Sequence, residues 1–208
     1  MQGINVTAQA QEVLDFWFTP DPGQPADAMR TAWFKKDAAF DAKIRDRFGA
    51  LIDQAIGGGL QDWDQQDPAG ALARILLLDQ FTRNVYRGTP QAFAGDALAL
   101  AAAQALVASG QDLALAPLQR SFVYLPYEHA EDLAQQDLAV ALYARLAADP
   151  AVTASAELAK GIAGMLDYAH KHHAVIARFG RFPHRNAILD RPSTLEEQEY
   201  LRQPGAGF

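Results

Sequence analysis

The sequence predicts an all-α protein of about nine helices, arranged as an α-α repeat or an irregular bundle. Alanine, the best helix former, is about one residue in five. β-branched residues are sparse, and no Asn-Gly or Asp-Gly turn separates alternating segments, as a β-hairpin would require. No period near 34 residues repeats, and no low-complexity linker divides the chain. We therefore expect a single domain over residues 1–208.

The first half of the chain predicts five helices, each marked by a cap or a breaker. The predicted starts are Thr7, Asp27, Asp37, Asp67-Pro68 and Gly95, and the predicted ends are Pro20, just past Trp33, Gly57, before Gly88 and Ser109. The third helix carries Phe40, Ile44 and Phe48 at helical spacing. The fourth is apolar on every side over 75–78, which predicts that it is buried.

The second half predicts four more helices. A sixth begins near Pro117, and Pro126 is expected to open a seventh that reaches Ala148. An eighth runs from about Thr153 to Arg178. After a loop over 180–192, the run Ser-Thr-Leu-Glu-Glu at 193–197 is typical of a capping box and predicts a short last helix.

Charge and composition exclude several classes of function. The chain has 18 Lys and Arg against 25 Asp and Glu, a net charge of −7, and no cysteine. An acidic surface repels nucleic acid, and a chain without cysteine has no disulfide and no thiolate nucleophile. The first eighteen residues carry no Lys or Arg, and the most apolar run, 97–108, gives only about 18 Å of helix. We expect a cytoplasmic protein with neither nucleic-acid nor membrane partners.

Polar residues continue the apolar stripes of the fourth helix. Asp79 and Arg83 follow Leu72 and Leu76 at helical spacing, so their charges should be buried and need partners. One interpretation is an Asp79–Arg83 pair that joins this helix to a neighbour. The other is that the polar side chains of this stretch line a pocket; these are Gln80, Arg83, Asn84 and Arg87.

The expected seventh helix begins with three acids, Glu128, Glu131 and Asp132, and with His129 among them. Glu131 extends the column of Leu138, Leu142 and Leu146 toward the N-terminus, which predicts that it points inward. A carboxylate two residues from His129 could orient that imidazole or raise its pKa. Acidic residues in a first helical turn are also favoured by the helix dipole alone, without any chemistry.

The eighth helix places His172 on a regular apolar stripe with Ile162, Met165 and Ile176. A histidine in that position is either a satisfied core residue or part of a site. His170 and His173 lie off the stripe and should be solvated. The pattern is not His-Glu-x-x-His, so no metal site is predicted.

The stretch 178–191 is a local positive region in an acidic protein. It carries Arg181, His184 and Arg185, and guanidinium groups suit carboxylate or phosphate. The alternative is a solvated turn whose arginines cap the carbonyls of the preceding helix.

Four blocks of the chain carry a resemblance to a known family. The run LDQFTRNVYRG at 78–88 resembles the DQFPRN-Y-R-G signature of the bacterial DUF924 family. YLPYEHAED at 124–132 is similar to its YLPFxHSED block, while RFGRFPHRN at 178–186 and the ST-EE pattern at 193–197 match it. Thr82 and Ala130 depart from the usual Pro and Ser, which removes any role for that serine. The resemblance implies an all-helical, TPR-like fold and no particular activity.

Two classes of function follow from these residues. The first is a site for a small anionic molecule, at which a hydrolase or transferase would act. Its expected catalytic residues are His129, Glu131, His172 and His184, and its expected ligand-binding residues are Gln80, Arg83, Asn84, Arg87, Arg181 and Arg185. Without a GxGxxG, GxxxxGK[ST] or GxSxG motif, no cofactor is expected.

The second class is a TPR-like scaffold that binds a peptide or a partner protein without catalysis; a ligand-free structural protein is a third option. Convergence of the polar residues on one open cavity would favour the small-molecule site, and separate ion pairs would favour the scaffold. We also predict that Arg83 and Arg185 converge on one anion-sized space, since two guanidinium groups repel unless an anion lies between them.

Overall fold

The computed structural model describes residues 7–207, apart from the side chain of Gln66; residues 1–6 and 208 lie outside the described part. Over that part the chain forms ten α-helices and no strand, which confirms the all-α prediction. The helices are α1 (Ala8–Phe18), α2 (Ala38–Ile56), α3 (Asp62–Gln66), α4 (Pro68–Ile75, continuing through a π-helical segment Leu76–Phe81 and a last turn Thr82–Val85), α5 (Asp96–Ala108), α6 (Pro117–Glu128), α7 (Leu133–Ala147), α8 (Pro150–Thr153), α9 (Ala156–Phe179) and α10 (Leu195–Leu201). Short 3₁₀ turns lie at Thr31–Trp33, Pro90–Phe93, Gln111–Ala114 and Pro183–Arg185.

The predicted N-caps set the starts of several helices. The Thr7 side chain accepts from the Ala10 amide, and Asp37 accepts from two amides of α2. Asp67 caps α4, with Pro68 in its first turn. The capping box before α10 is formed by Thr194 and Glu197. These starts were predictable because each cap is a hydrogen bond between near neighbours in the sequence.

Two predicted helix starts are wrong. The stretch after Asp27 forms only the 3₁₀ turn Thr31–Trp33. Pro126 does not open a helix but lies inside α6, whose last turns bury Phe122 and Tyr127. Because these side chains pack into the core, burial carries the helix past the proline.

The next helix, α7, begins after Asp132, whose side chain accepts from the Gln135 amide. Glu131 therefore lies in the loop before α7 rather than on a helical column with Leu138. Leu138 itself is 47% exposed, while Leu142 is buried. The predicted apolar column of this helix is therefore wrong at its N-terminal end.

The core is centred on Trp17 and on helix α4. Trp17 is fully buried and packs within 5.3 Å of the Phe81 ring centroid and 5.7 Å of Phe122, with Trp33 stacked beside it. Helix α4 contacts α1, α2, α5 and α6, which explains its apolar surface on every side. A smaller cluster of Val175, Ile176 and Phe182 packs where α9 ends.

The segment Pro90–Ala108 has the length and composition of a membrane span, with a mean hydropathy of 1.3, and 33% of it is buried in the fold. These two properties alone are weak evidence for a span. In the structure the segment is a 3₁₀ turn followed by α5, and Asp96, the first residue of α5, pairs with two arginines.

Candidate functional site

A buried carboxylate, Asp79, lies where α4 meets α6. Its Oδ1 forms an ion pair with Arg83 Nη1 at 2.9 Å and accepts from His129 Nδ1 at 2.7 Å, and its Oδ2 accepts from Gln80 Nε2 at 2.6 Å. Burial would raise the pKa of Asp79, but Arg83 and His129 outweigh it and hold that pKa well below its usual range. Asp79 is therefore a stable carboxylate around which the other groups are ordered.

The π-helical segment Leu76–Phe81 presents Asp79 to this cluster. The Thr82 hydroxyl donates to the Leu78 carbonyl at 2.8 Å, which satisfies a backbone acceptor inside the buried helix. A π-helical turn within an α-helix is rare and is often associated with function. Apolar patterning did not predict this segment, because every residue over 75–78 is apolar and no repeat is visible there.

His129 directly follows the last turn of α6, and its Nδ1 lies against the Asp79 carboxylate. Because Asp79 is ionised, Nδ1 of His129 donates to it, so the neutral imidazole carries its proton on Nδ1. Among residues 7–207 the His129 ring forms its hydrogen bond through Nδ1 alone. Burial first, and then the neighbouring Arg83, lower the pKa of His129 below its ordinary value despite the attraction of Asp79. At neutral pH the imidazole is unprotonated and can accept a proton on Nε2.

Arg83 and Arg185 do converge, but the chain itself supplies the anion between them. The Asp96 carboxylate accepts from Arg83 at 2.9 and 3.1 Å and from Arg185 at 3.2 Å. Asp96 begins α5, where the helix dipole favours a carboxylate. With Asp79 the cluster holds two arginines and two carboxylates, so convergence of the arginines is no argument for an external anion.

Arg185 is held tightly in this cluster. Its guanidinium stacks on the rings of Phe93 and Phe182, at 4.7 and 4.6 Å from the centroids, and donates to the His129 carbonyl at 3.0 Å. Burial, and then the like charge of Arg83, lower the pKa of Arg185 to about 10. It remains a cation at neutral pH.

A second acid–imidazole pair lies beside the first. Glu128 Oε1 lies 3.0 Å from His172 Nδ1, both side chains are buried, and the His172 ring is 6.1 Å from that of His129. Glu128 Oε2 and Arg185 Nε are buried without a hydrogen-bond partner among the described residues. An unused acceptor and an unused donor thus lie close to the end of α6, where each would bind a complementary ligand atom or a water.

The other predicted site residues form ion pairs around this cluster. Glu131 accepts from both terminal nitrogens of Arg191, at 2.6 and 2.8 Å, and from the Phe182 amide. Arg181 forms a bidentate pair with Glu197 at 2.7 and 2.9 Å. Glu131 therefore does not orient His129; Asp79 does.

His184 lies near the same region, with its ring 5.6 Å from Phe182. Burial and then the charge of Arg185 lower its pKa to about 4. Asn84 and Arg87 lie apart from the cluster and bind Asp41, at 2.7 and 3.2 Å. The structure therefore brings Gln80, Arg83, His129, His172 and Arg185 together and places Asn84 and Arg87 elsewhere.

The sequence pattern did not reveal the roles of Asp96 and Glu128 in this cluster. Asp79 stood out together with Arg83 as a charge on a buried stripe, Glu128 stood out only as one of three acids in an expected first helical turn, and Asp96 did not stand out at all. The signal for Asp79 was its helical spacing from Leu72 and Leu76. Asp96 gave no signal, because an acid in a first helical turn is common. Among the described residues no group of three or more His, Asp or Glu is placed to hold a metal ion.

The fold and the cluster define an all-helical protein in which buried arginine, histidine and carboxylate groups join four helices and a C-terminal loop. The family model described as "Bacterial protein of unknown function (DUF924)" matches residues 13–205, so the chain belongs to the DUF924 family, as the resemblance predicted. The structure of a protein of unknown function, ATU0120 from Agrobacterium tumefaciens, is similar at 38% identity and a TM-score of 0.78, over 95% of this chain and 99% of that chain. Comparison with curated proteins gives no match.

The four family-like blocks meet in space. Asp79 in the first block binds His129 in the second, and Arg185 in the third donates to the His129 carbonyl. Arg181 in the third block binds Glu197 in the fourth. The residues that carry the family resemblance therefore build one contiguous polar network.

Proposed function

We propose that the Asp79–His129 cluster is a small-molecule site at which His129 accepts a proton during hydrolysis or group transfer. The observation that carries this proposal is the dyad itself: Asp79 fixes the Nδ1–H tautomer, and among the described residues the His129 ring forms its hydrogen bond through Nδ1 alone. A carboxylate-oriented neutral imidazole is a common general base, and its contribution is typically about 10²–10⁴-fold in rate. The lowered pKa of His129 supports the same role.

The ligand of this site is a small molecule with an electronegative oxygen, such as a carboxylate or a phosphate ester. Arg185 Nε is a buried donor that still needs an acceptor, and its charge would favour an anion. Glu128 Oε2 would accept from a hydroxyl or amine of the same ligand. Because Asp79 and Asp96 already neutralise the arginines, the ligand would bind through one or two oriented hydrogen bonds.

The second candidate is a TPR-like scaffold that binds a peptide or a partner protein. The paired ions outside the dyad favour it: Glu131 with Arg191 and Arg181 with Glu197 are bidentate pairs that join elements of the fold. Under this proposal the whole network stabilises the helices, and His129 has no chemical role.

A panel of p-nitrophenyl acetate, p-nitrophenyl phosphate and small amide substrates separates the two candidates. The proposal predicts that turnover of at least one class falls by about 100-fold or more in His129→Gln. His170→Gln is the matched control, because His170 is exposed on α9, and it should keep the wild-type rate. Turnover that is absent, or equal in both variants, would favour the scaffold. Circular dichroism confirms that each variant is folded.

A further inference from the structure

A second polar region lies apart from the dyad, in a groove between the start of α2 and the end of α4. The groove has a volume of about 340 Å³, and its lining includes Lys36, Asp41, Arg45, Asn84 and Arg87. Pockets for small ligands have volumes of roughly 300–1,000 Å³, so this groove suits a small molecule. It contains the two predicted ligand-binding residues that the structure separates from the buried cluster.

The groove has an excess of positive charge on an acidic chain. Three cations, Lys36, Arg45 and Arg87, face one carboxylate, Asp41. Lys36 forms no ion pair with any residue of the described part of the chain. The remaining surplus is two positive charges, in a protein whose net charge is −7. Such a local surplus concentrates small anions, while the acidic remainder of the surface repels a polyanion.

The two guanidinium groups are held in place by the fold. Asp41 Oδ1 accepts from Asn84 Nδ2 at 2.7 Å, and the same carboxylate binds Arg87 at 3.2 Å. From α2, Arg45 Nη2 donates to the carbonyl of Val85 at 2.7 Å, where α4 ends. One arginine is therefore fixed on each wall of the groove, and less side-chain entropy is lost when an anion binds.

We propose that this groove binds the phosphate group of a small phosphorylated molecule. A phosphate monoester carries about −1.5 to −2 charges at pH 7, which matches the surplus better than a single carboxylate does. Fixed guanidinium groups donate to phosphate oxygens with charge-assisted hydrogen bonds. The inference rests on the groove alone and is independent of the proposed role of His129.

Isothermal titration with inorganic phosphate tests this proposal, using the full chain and potassium chloride to keep the ionic strength constant. We expect saturable binding that weakens by about tenfold in Arg87→Gln and in Arg45→Gln, because each loses a charge-assisted contact. Lys160→Gln removes one charge on α9, away from the groove, and should bind as the wild type does. Acetate should bind more weakly than phosphate.

Three results would overturn the proposal: no saturable phosphate binding, equal affinity in Arg87→Gln and Lys160→Gln, or acetate binding as tight as phosphate binding. Phosphate affinity that falls in His129→Gln but not in Arg87→Gln would place the anion at the Asp79–His129 cluster instead of in the groove. Equal melting temperatures of wild type and variants without phosphate would show that weakened binding is not caused by unfolding.

Discussion

Gly95 is the point at which α5 crosses α4, and replacing it with alanine should disrupt that crossing. A Cβ atom at Gly95 would lie 2.2 Å from the carbonyl oxygen of Leu78, where ordinary contact begins near 3.4 Å. The obstructing atoms are backbone of the buried π-helical segment, so no side chain can rotate away. One of the two helices must move by roughly an ångström, the difference between these two distances, which also separates Asp96 from its arginines.

Overpacking of this kind costs typically about 1–3 kcal/mol of stability. Because the added Cβ atom would meet the backbone of Leu78 rather than a movable side chain, Gly95→Ala should lower the free energy of unfolding by about 3 kcal/mol or more. For a chain of this length the melting temperature should fall by about 6–12 °C. Urea denaturation followed by circular dichroism measures the loss. Gly164→Ala is the control: Gly164 lies in α9, where an added Cβ atom would meet no other atom within 4 Å, and alanine there should stabilise by about 0.5–1 kcal/mol. A Gly95→Ala variant within about 0.5 kcal/mol of wild type would refute the close crossing.

Three further predictions concern the core and the histidines. Trp17→Ala should lower the free energy of unfolding by about 3–5 kcal/mol, because the indole is fully buried among aromatic rings; a loss below about 1 kcal/mol in urea denaturation would contradict this packing. His172→Leu should lower the free energy of unfolding by about 3–5 kcal/mol, because it leaves the buried Glu128 carboxylate unpaired. In a double-mutant cycle, adding Glu128→Gln should recover part of this loss. A His172→Leu variant as stable as wild type would show that the pair does not stabilise the fold. The pKa of His184 in the folded protein is about 4, below its unfolded value of about 6.5. As the pH falls from about 6.5 toward 4, the unfolded state binds a proton that the folded state does not, so the free energy of unfolding should fall by up to about 3 kcal/mol. Unfolding free energies measured across that range should depend less on pH in His184→Gln; an identical pH dependence would exclude His184 as the cause.

The parts of the fold that were predictable from the sequence are those set by local interactions. Thr7, Asp37 and Asp67 cap their helices within three residues, so their role is visible in the sequence itself. The apolar surface of α4 likewise predicted its burial. Pro126 misled because its local preference is overruled by the burial of Phe122 and Tyr127, which only the tertiary structure reveals.

The candidate site was only partly predictable, for a different reason. Arg83 stood out because charge on a buried stripe needs a partner, His129 because a carboxylate lies two residues away, and Arg185 because it lies in a local positive region. The partner Asp96 lies 89 residues from Arg185, and no periodicity connects positions so distant. The π-helical turn that presents Asp79 begins in a stretch that is apolar on every side, where no repeat in the sequence indicates it.

The central claim is that Asp79 fixes His129 as a neutral base with its proton on Nδ1. Nitrogen-15 NMR of the histidine rings tests this claim most directly, with His129→Gln to assign the resonance. At pH 7 we expect Nδ1 protonated, Nε2 unprotonated, and a titration with a pKa below the ordinary histidine value. A His129 ring with its proton on Nε2, or one already doubly protonated at pH 7, would contradict the account.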